Sequence, residues 1–289
     1  MARRGIKMKH PFNRVVVLLN DLDNIDLLLK KASDFSELHQ TTLEILYVYE
    51  EPLFEIPDYF LSTKKINEGE IDKSKIKKRI EEHLGKLNSN KHAIFIEIDD
   101  TIDRLLYHYK ESQKTLIIAD YHQNLTSNLI EKTPYSFWIL KDNIEYKNIV
   151  LPIDLSDLSI KAIEATNHLF PNSTLNILYD FRYILDTLTV QVDYFNVVPI
   201  ATDMTLELNK EQKKSALEKF NSLKEQFNIE GDFIEGDSAL DEDLISYITK
   251  REFDLTLLYR KDEELFESPS LIVSLLENLN SDLFVLSCG

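Results

Sequence analysis

The chain has 289 residues, room for one large domain or two ordinary ones. Hydrophobic residues make up 43%, enough for a real core, yet no apolar run approaches the roughly 20 residues of a membrane-spanning helix, so no membrane partner is expected. A net charge of -17 repels a polyphosphate backbone, so general nucleic-acid binding is not expected either.

The charge is uneven. Residues 1–145 carry 21 Lys+Arg against 24 Asp+Glu, while residues 146–289 carry 12 against 26, so -14 of the total falls in the second half. The opening MARRGIKMKHPF is basic and lacks an apolar stretch, which predicts no export. One cysteine, Cys288, excludes an intrachain disulfide and fits a reducing cytoplasm. The basic run Lys73–Arg79 (KSKIKKR) has helical spacing and reads as a solvated helix face.

In chain order the predicted elements occur twice. Arg14–Leu22 (RVVVLLNDL) is a nearly continuous β-rich run, the pattern of a strand buried on both faces. Ile25, Leu28, Leu29, Ala32 and Phe35 then recur at helix spacing, with Asp23 as the expected N-cap. A second strand follows at Thr42–Tyr49 (TLEILYVY), then an irregular stretch from Pro52 to Phe60 and a helix over about Glu70–Leu87. Third elements are a strand at Ala93–Ile98 and a helix at about Ile102–Lys110. Asp99, Asp100 and Asp103 cluster between them, with Asp100 or Thr101 expected to cap that helix. A fourth strand is predicted at Thr115–Ala119, then a helical segment and a last strand at Ser136–Leu140.

The second half repeats the order. Asn148–Ser156 (NIVLPIDLS) is the first strand, and Leu158, Ala162, Ile163, Thr166 and Leu169 mark the first helix, capped by Ser156. Thr174–Phe181 (TLNILYDF) shares T-L-x-I-L-Y with Thr42–Tyr49. An aromatic-rich irregular stretch, Phe181–Phe195, reads either as a ligand lid or partner surface or as a loop packed on its own domain. A helix over about Glu207–Phe227 follows, then a strand at Asp232–Glu235, a helix at Leu240–Lys250, and strands at Leu255–Tyr259 and Leu283–Leu286.

Strands alternating with helices predict parallel pairing through right-handed crossovers. The fold class is therefore α/β: two tandem doubly wound, Rossmann-like sheets of five parallel strands, with helices on both faces. The boundaries are an N-terminal extension over 1–12, a first domain over 13–142 and a second over 146–289. The short polar join Lys141–Lys147 keeps the two copies close.

The residues NIVLPIDLSDLSIKAIEAT (148–166), FIEGDSALDEDLISYITKREFDLTLLYR (233–260) and NSDLFVLS (280–287) resemble the universal stress protein family in its tandem form, and the first half resembles a more diverged copy. The resemblance covers nearly the whole chain from about Asn13 and implies an adenine nucleotide alpha hydrolase-like fold. Members that bind ATP carry a loop of the form G-x2-G-x9-G-(S/T) after the fourth strand. Its glycines let backbone N–H groups approach phosphate oxygens, at a helix N-terminus that favours anions. Here the second-half loop, YRKDEELFESPSLIVSLL (259–276), has no glycine; Pro269-Ser270 stands where the last Gly-Ser pair would fall. Asp262, Glu263, Glu264 and Glu267 add repulsion toward a triphosphate. The first-half loop, ADYHQNLTSNLIEKTP (119–134), is also glycine-free and shorter.

The resemblance also implies that an Asp at the end of the first strand contacts adenine. Asp154 holds that place in the second half; Asn20, followed by Asp21, holds it in the first. The candidate ligand-binding set is therefore Asp154, Ser156 and Ser270. The same carboxylate could instead satisfy N–H groups of the following helix start.

No cofactor and no metal is expected, and ATP or another adenine nucleotide is disfavoured. None of the seven histidines pair at i, i+4, and one cysteine builds no thiolate zinc site. Neither a dinucleotide fingerprint nor a P-loop occurs, and no G-x-S-x-G elbow is present. No catalytic residue is assigned. The sequence thus predicts a non-enzymatic, cytoplasmic stress-response protein acting through protein contacts. The alternative is a small-molecule or adenine-nucleotide binder using the second domain near Asp154. Family members commonly dimerise through their last strands. In a tandem chain the expected partner lies within the chain, so Ser136–Leu140 and Leu283–Leu286 are predicted side by side. Further homodimerisation, the protein partner and the signal are left open.

Overall fold

The computed structural model describes residues 11–50, 72–87, 92–111, 114–141, 145–182, 187–193, 196–201, 203–236, 240–261 and 269–288. The chain divides into two compact units. Unit 1 is Met1–Ile144 with Arg260–Leu265 and Asp282–Gly289; unit 2 is Glu145–Tyr259 with Phe266–Ser281.

Unit 1 opens on β1 (Arg14–Leu19), whose Val15–Leu19 are all buried, as a strand covered on both faces requires. Then come α1 (Ile25–His39), β2 (Thr42–Tyr49), α2 (Lys73–Lys86), β3 (His92–Ile98), α3 (Thr101–His108), β4 (Thr115–Asp120), α4 (Gln123–Lys132) and β5 (Ser136–Leu140). These five strands pair in parallel in the order β3-β2-β1-β4-β5. The order reverses between β1 and β4, the switch point of a doubly wound sheet. α1 buries the predicted stripe Ile25, Leu28, Leu29, Ala32 and Phe35. Its N-cap is Asn24 rather than the expected Asp23: Asp21 Oδ1 accepts the Asp23 N–H in a local turn, and the helix starts after that turn at Ile25. Asp100 caps α3 as expected, accepting from the Asp103 N–H at 3.0 Å. Lys73–Arg79 lies on α2, which buries Ile80 and Leu84 and leaves its lysines in solvent.

The last strand of the chain, β12 (Asp282–Cys288), belongs to unit 1. It pairs antiparallel with β5 in the register Leu283↔Ile139, Phe284↔Trp138, Val285↔Phe137, the side-by-side placement read from the sequence. Phe284 lies 5.9 Å from Trp138 and 6.3 Å from Phe12, and Phe35 meets Trp138 edge-on at 5.5 Å. The strand is also pinned by polar bonds: Ser287 N–H donates to Ser136 Oγ, and Asp282 Oδ1 accepts from the Lys141 N–H, both at 2.9 Å.

Unit 2 contains β6 (Asn148–Pro152), α5 (Asp157–Leu169), β7 (Thr174–Phe181), β8 (Thr187–Asp193), β9 (Asn196–Ala201), α6 (Asp203–Phe227), β10 (Glu230–Glu235), α7 (Leu240–Arg251), β11 (Leu255–Lys261, which ends beyond the unit) and α8 (Pro269–Asn278). Its parallel order is β10-β7-β6-β11. The expected fifth parallel strand of the second repeat is β12, which runs antiparallel to β5 in unit 1. A correction concerns Phe181–Phe195. Residues 187–193 and 196–201 are not irregular but pair as antiparallel strands, β8 against β9. The β-branched residues Thr187, Thr189, Val190 and Val192 carry that preference. Residues 183–186 and 194–195 of that stretch lie outside the described residues.

Gly231 shows how closely β10 approaches β7. It sits opposite Ile177 in the register, and a Cβ there would press on the Ile177 backbone carbonyl and Cγ1. Gly231→Ala is expected to lower the unfolding free energy by about 1–3 kcal/mol, checked by urea denaturation. Among the described residues, no helix is long and apolar enough to cross a membrane.

Candidate functional site

β6 runs Asn148–Pro152 and delivers Asp154 to its carboxyl end, beside β11. Asp154 Oδ1 accepts three hydrogen bonds: from Tyr259 Oη at 2.7 Å, Ser159 Oγ at 2.7 Å and the Ser156 N–H at 2.9 Å. The Asp154 N–H faces the same two hydroxyls, at 3.2 Å from Tyr259 and 3.3 Å from Ser159. The two hydroxyls are 2.9 Å apart. Tyr259 lies in the buried part of β11 and is 1% exposed; Ser159 is fully buried in the first turn of α5. Burial pushes the Asp154 carboxyl up, but the bonds from Ser156, Tyr259 and Ser159 outweigh it and hold the group below the usual carboxylate range. Burial pushes the Tyr259 phenol well up, and its bond to Asp154 adds to that.

The turn is built locally. The Ser156 N–H bond to Asp154 Oδ1 is an Asx turn, and Leu155 between them takes φ 61, a left-handed backbone rarely adopted by a branched apolar residue. Ser156 then caps α5 through its Oγ, which accepts from the Leu158 N–H at 3.2 Å. Asp157 stands in the first turn of α5. Of the predicted ligand set, Asp154 and Ser156 are therefore neighbours, and both carry helix-start work. Ser270 stands at the second position of α8, and its side chain lies outside the described residues. The acidic loop residues Asp262, Glu263, Glu264 and Glu267 also lie outside them.

Unit 1 has its own version of the crevice. Asn20 Nδ2 donates to Val48 O at 3.2 Å and to Thr101 Oγ1 at 3.0 Å, tying the end of β1 to β2 and α3. Across the switch point, Asp21 Oδ2 pairs with His122 Nε2 at 3.5 Å, and Asn24 Nδ2 donates to Asp120 Oδ2 at 2.5 Å. The turn from β4 to α4 is two residues, Tyr121 and His122, in keeping with the short loop read from the sequence. Thus both crevices are crossed by side chains. Tyr259, His122 and Asn24 were not singled out in the sequence reading; each becomes visible once the strand order places it opposite Asp154, Asp21 or Asp120.

Among the described residues, no group of three or more His, Cys, Asp or Glu could hold a metal ion. Asp99, Asp100 and Asp103 serve the start of α3: Asp99 pairs with Arg104, and Asp100 is the cap.

No protein-family model matches the sequence, and no curated protein matches it. The fold does match solved structures. A protein from Pseudomonas aeruginosa UCBPP-PA14 assigned to the universal stress proteins superposes with a TM-score of 0.67 at 13% identity, over 96% of this chain and 94% of that one. A protein of unknown function from Pseudomonas aeruginosa PAO1 gives 0.65 at 13% identity, over 96% and 93%. A universal stress protein from Archaeoglobus fulgidus DSM 4304 gives 0.57 at 12% identity, over 96% and 97%. At these identities the likeness establishes the fold: this chain has the α/β architecture of universal stress proteins, across nearly its whole length and theirs.

Proposed function

We propose that the chain is a tandem universal stress protein that works through protein contacts in the cytoplasm, without catalysis and without a resident nucleotide. The observation that carries this reading is the engagement of Asp154 Oδ1 by Tyr259, Ser159 and the Ser156 N–H, which commits the expected adenine-contacting carboxylate to its own domain. The glycine-free loops 259–276 and 119–134 support the same conclusion, since a phosphate cradle needs close backbone approach.

The second reading is a small-molecule binder using Asp154, Ser156 and Ser270. It draws on one observation: Asp154 is exposed, and the hydrogen bonds from Tyr259, Ser159 and the Ser156 N–H all fall on Oδ1. Purified protein, denatured and analysed for released nucleotide, separates the two. We expect no nucleotide in proportion to protein. ATP released at close to one per chain overturns the first reading and establishes the second.

A further inference from the structure

The two repeats end their sheets on equivalent third strands, β3 in unit 1 and β10 in unit 2, but the edges are built differently. β10 reads EGDFIE. Its Asp232 is held by Arg251 at 3.0 Å and by Tyr247, its Glu235 by Lys213 at 2.6 Å, and Lys224 Nζ donates to the Gly231 carbonyl at 2.9 Å. Charges and a covering lysine are how sheet edges avoid pairing with other chains. β3 reads HAIFIEI, with no proline, lysine or glycine. Its single carboxylate, Glu97, is engaged by His108 of α3 at 3.0 Å. Ile94, Phe95 and Ile96 are partly exposed, whereas the apolar residues of β1, β4 and β5 are buried. Among the described residues no strand pairs with the outer side of β3. Ile98, Leu106 and Tyr107 stand at 37%, 42% and 67% exposure at the end of β3 and on α3, and Arg104 lies over the Tyr107 ring at 5.6 Å.

We infer that the outer edge of β3 is a pairing site for the β3 edge of a second copy of this chain, joined antiparallel about Phe95. The hydrogen-bond phase of the strand permits this. The Asp99 N–H donates to Tyr49 O of β2, and N–H direction alternates along a strand, so Phe95 and Glu97 also face β2 while Ile94 and Ile96 face outward. A two-fold axis at Phe95 puts Ile94 opposite Ile96 of the second copy as a hydrogen-bonded pair, and His92 opposite Ile98 as the next, so all four outward-facing residues of the strand are used. Phe95 then meets its own counterpart in a non-hydrogen-bonded pair, where Cα atoms approach to about 4.5 Å. Aromatic and β-branched residues are favoured across such pairs. Glu97 falls opposite Ala93, so no like charges face each other. This pairing stands independently of whether unit 2 binds a nucleotide.

Sedimentation equilibrium on the full chain over micromolar concentrations should show a reversible monomer–dimer equilibrium. Ile96→Pro removes an outward N–H while sparing the β2 ladder, and should weaken association at least about tenfold. In a Cys288→Ser background, Phe95→Cys should form an interchain disulfide on mild oxidation, since the Cα spacing falls in the usual disulfide range of about 4.4–6.8 Å. The disulfide variant serves if the proline variant fails to fold. A chain that stays monomeric, or a dimer that Ile96→Pro leaves intact and Phe95→Cys does not cross-link, overturns the inference.

Discussion

Arg260→Met is expected to lower the unfolding free energy by about 3–5 kcal/mol, among the largest losses any single side chain here can cause. Arg260 is 3% exposed and its guanidinium donates to three backbone carbonyls of unit 1: Ile130 O and Thr133 O at 2.6 Å, and Tyr135 O at 2.5 Å. Ile130 and Thr133 lie at the C-terminal end of α4, where carbonyls have no intrahelical donor and the helix dipole favours a cation. Methionine fills similar volume but donates nothing, leaving three buried acceptors unpaired. The damage spreads through Tyr135. Its hydroxyl donates to Leu105 O at 3.0 Å and Tyr109 O at 2.6 Å, closing the end of α3, and burial pushes that phenol up to about 12. Arg260→Lys should lose less, because an ammonium reaches some of the carbonyls but lacks the planar fork that spans all three. The single tryptophan, Trp138, lies in β5, so urea unfolding followed by its fluorescence reads unit 1 directly. An unchanged midpoint in Arg260→Met would show that the three contacts carry no net stability.

Sequence periodicity exposed the frame because buried parallel strands leave an unmistakable record: RVVVLL and NIVLP are apolar on both faces, and TLEILYVY echoes TLNILYDF. The β5–β12 pairing was legible for a related reason, since SFWIL and LFVL would otherwise be sticky edges. What escaped was whatever depends on partners distant in sequence. Arg260 was not singled out from sequence, because its three acceptors lie 125 to 130 residues away. Tyr259 looked like the start of a failed phosphate loop, while its hydroxyl reaches back 105 residues to Asp154. A local turn explains the misplaced cap: the Asp21 carboxylate accepts the Asp23 N–H in a turn of its own, so the cap falls one residue later at Asn24.

The two crevices reach one arrangement by different chemistry. In a doubly wound sheet the switch point is where neighbouring loops diverge and leave room for a ligand. Unit 1 crosses that gap with an imidazole–carboxylate contact and an amide–carboxylate bond, both on exposed side chains. Such exposed contacts are worth little individually. Unit 2 crosses it with a buried phenol bonded to a carboxylate and a serine, a stronger closure. The copy that carries Asp154 at the strand end is thus the one that ties its carboxylate down more firmly.

Tyr259→Phe tests that closure with little change in shape. It should cost about 1–2 kcal/mol at neutral pH, the range for a hydrogen bond to a charged group reduced for the exposure of Asp154. The pH dependence identifies the partner. Asp154 has a folded-state pKa below its unfolded value, so its bonds contribute stability that is fully present above the unfolded value near about 3.9. That contribution is lost as pH falls through the folded-state value. The penalty of Tyr259→Phe should therefore be largest at neutral pH and shrink in acid, and it should be smaller in an Asp154→Asn background at every pH. A penalty that persists unchanged into acid would mean that the hydroxyl acts through Ser159 rather than Asp154. Tyr259→Ala removes the ring as well and should cost about 3–5 kcal/mol, since it opens a cavity beside Asp154 in a fully buried site. If closure by Tyr259 is what withholds the carboxylate, that enlarged site is where adenosine binding should first become measurable by calorimetry. Tyr259→Phe, which keeps the ring in place, should remain without it.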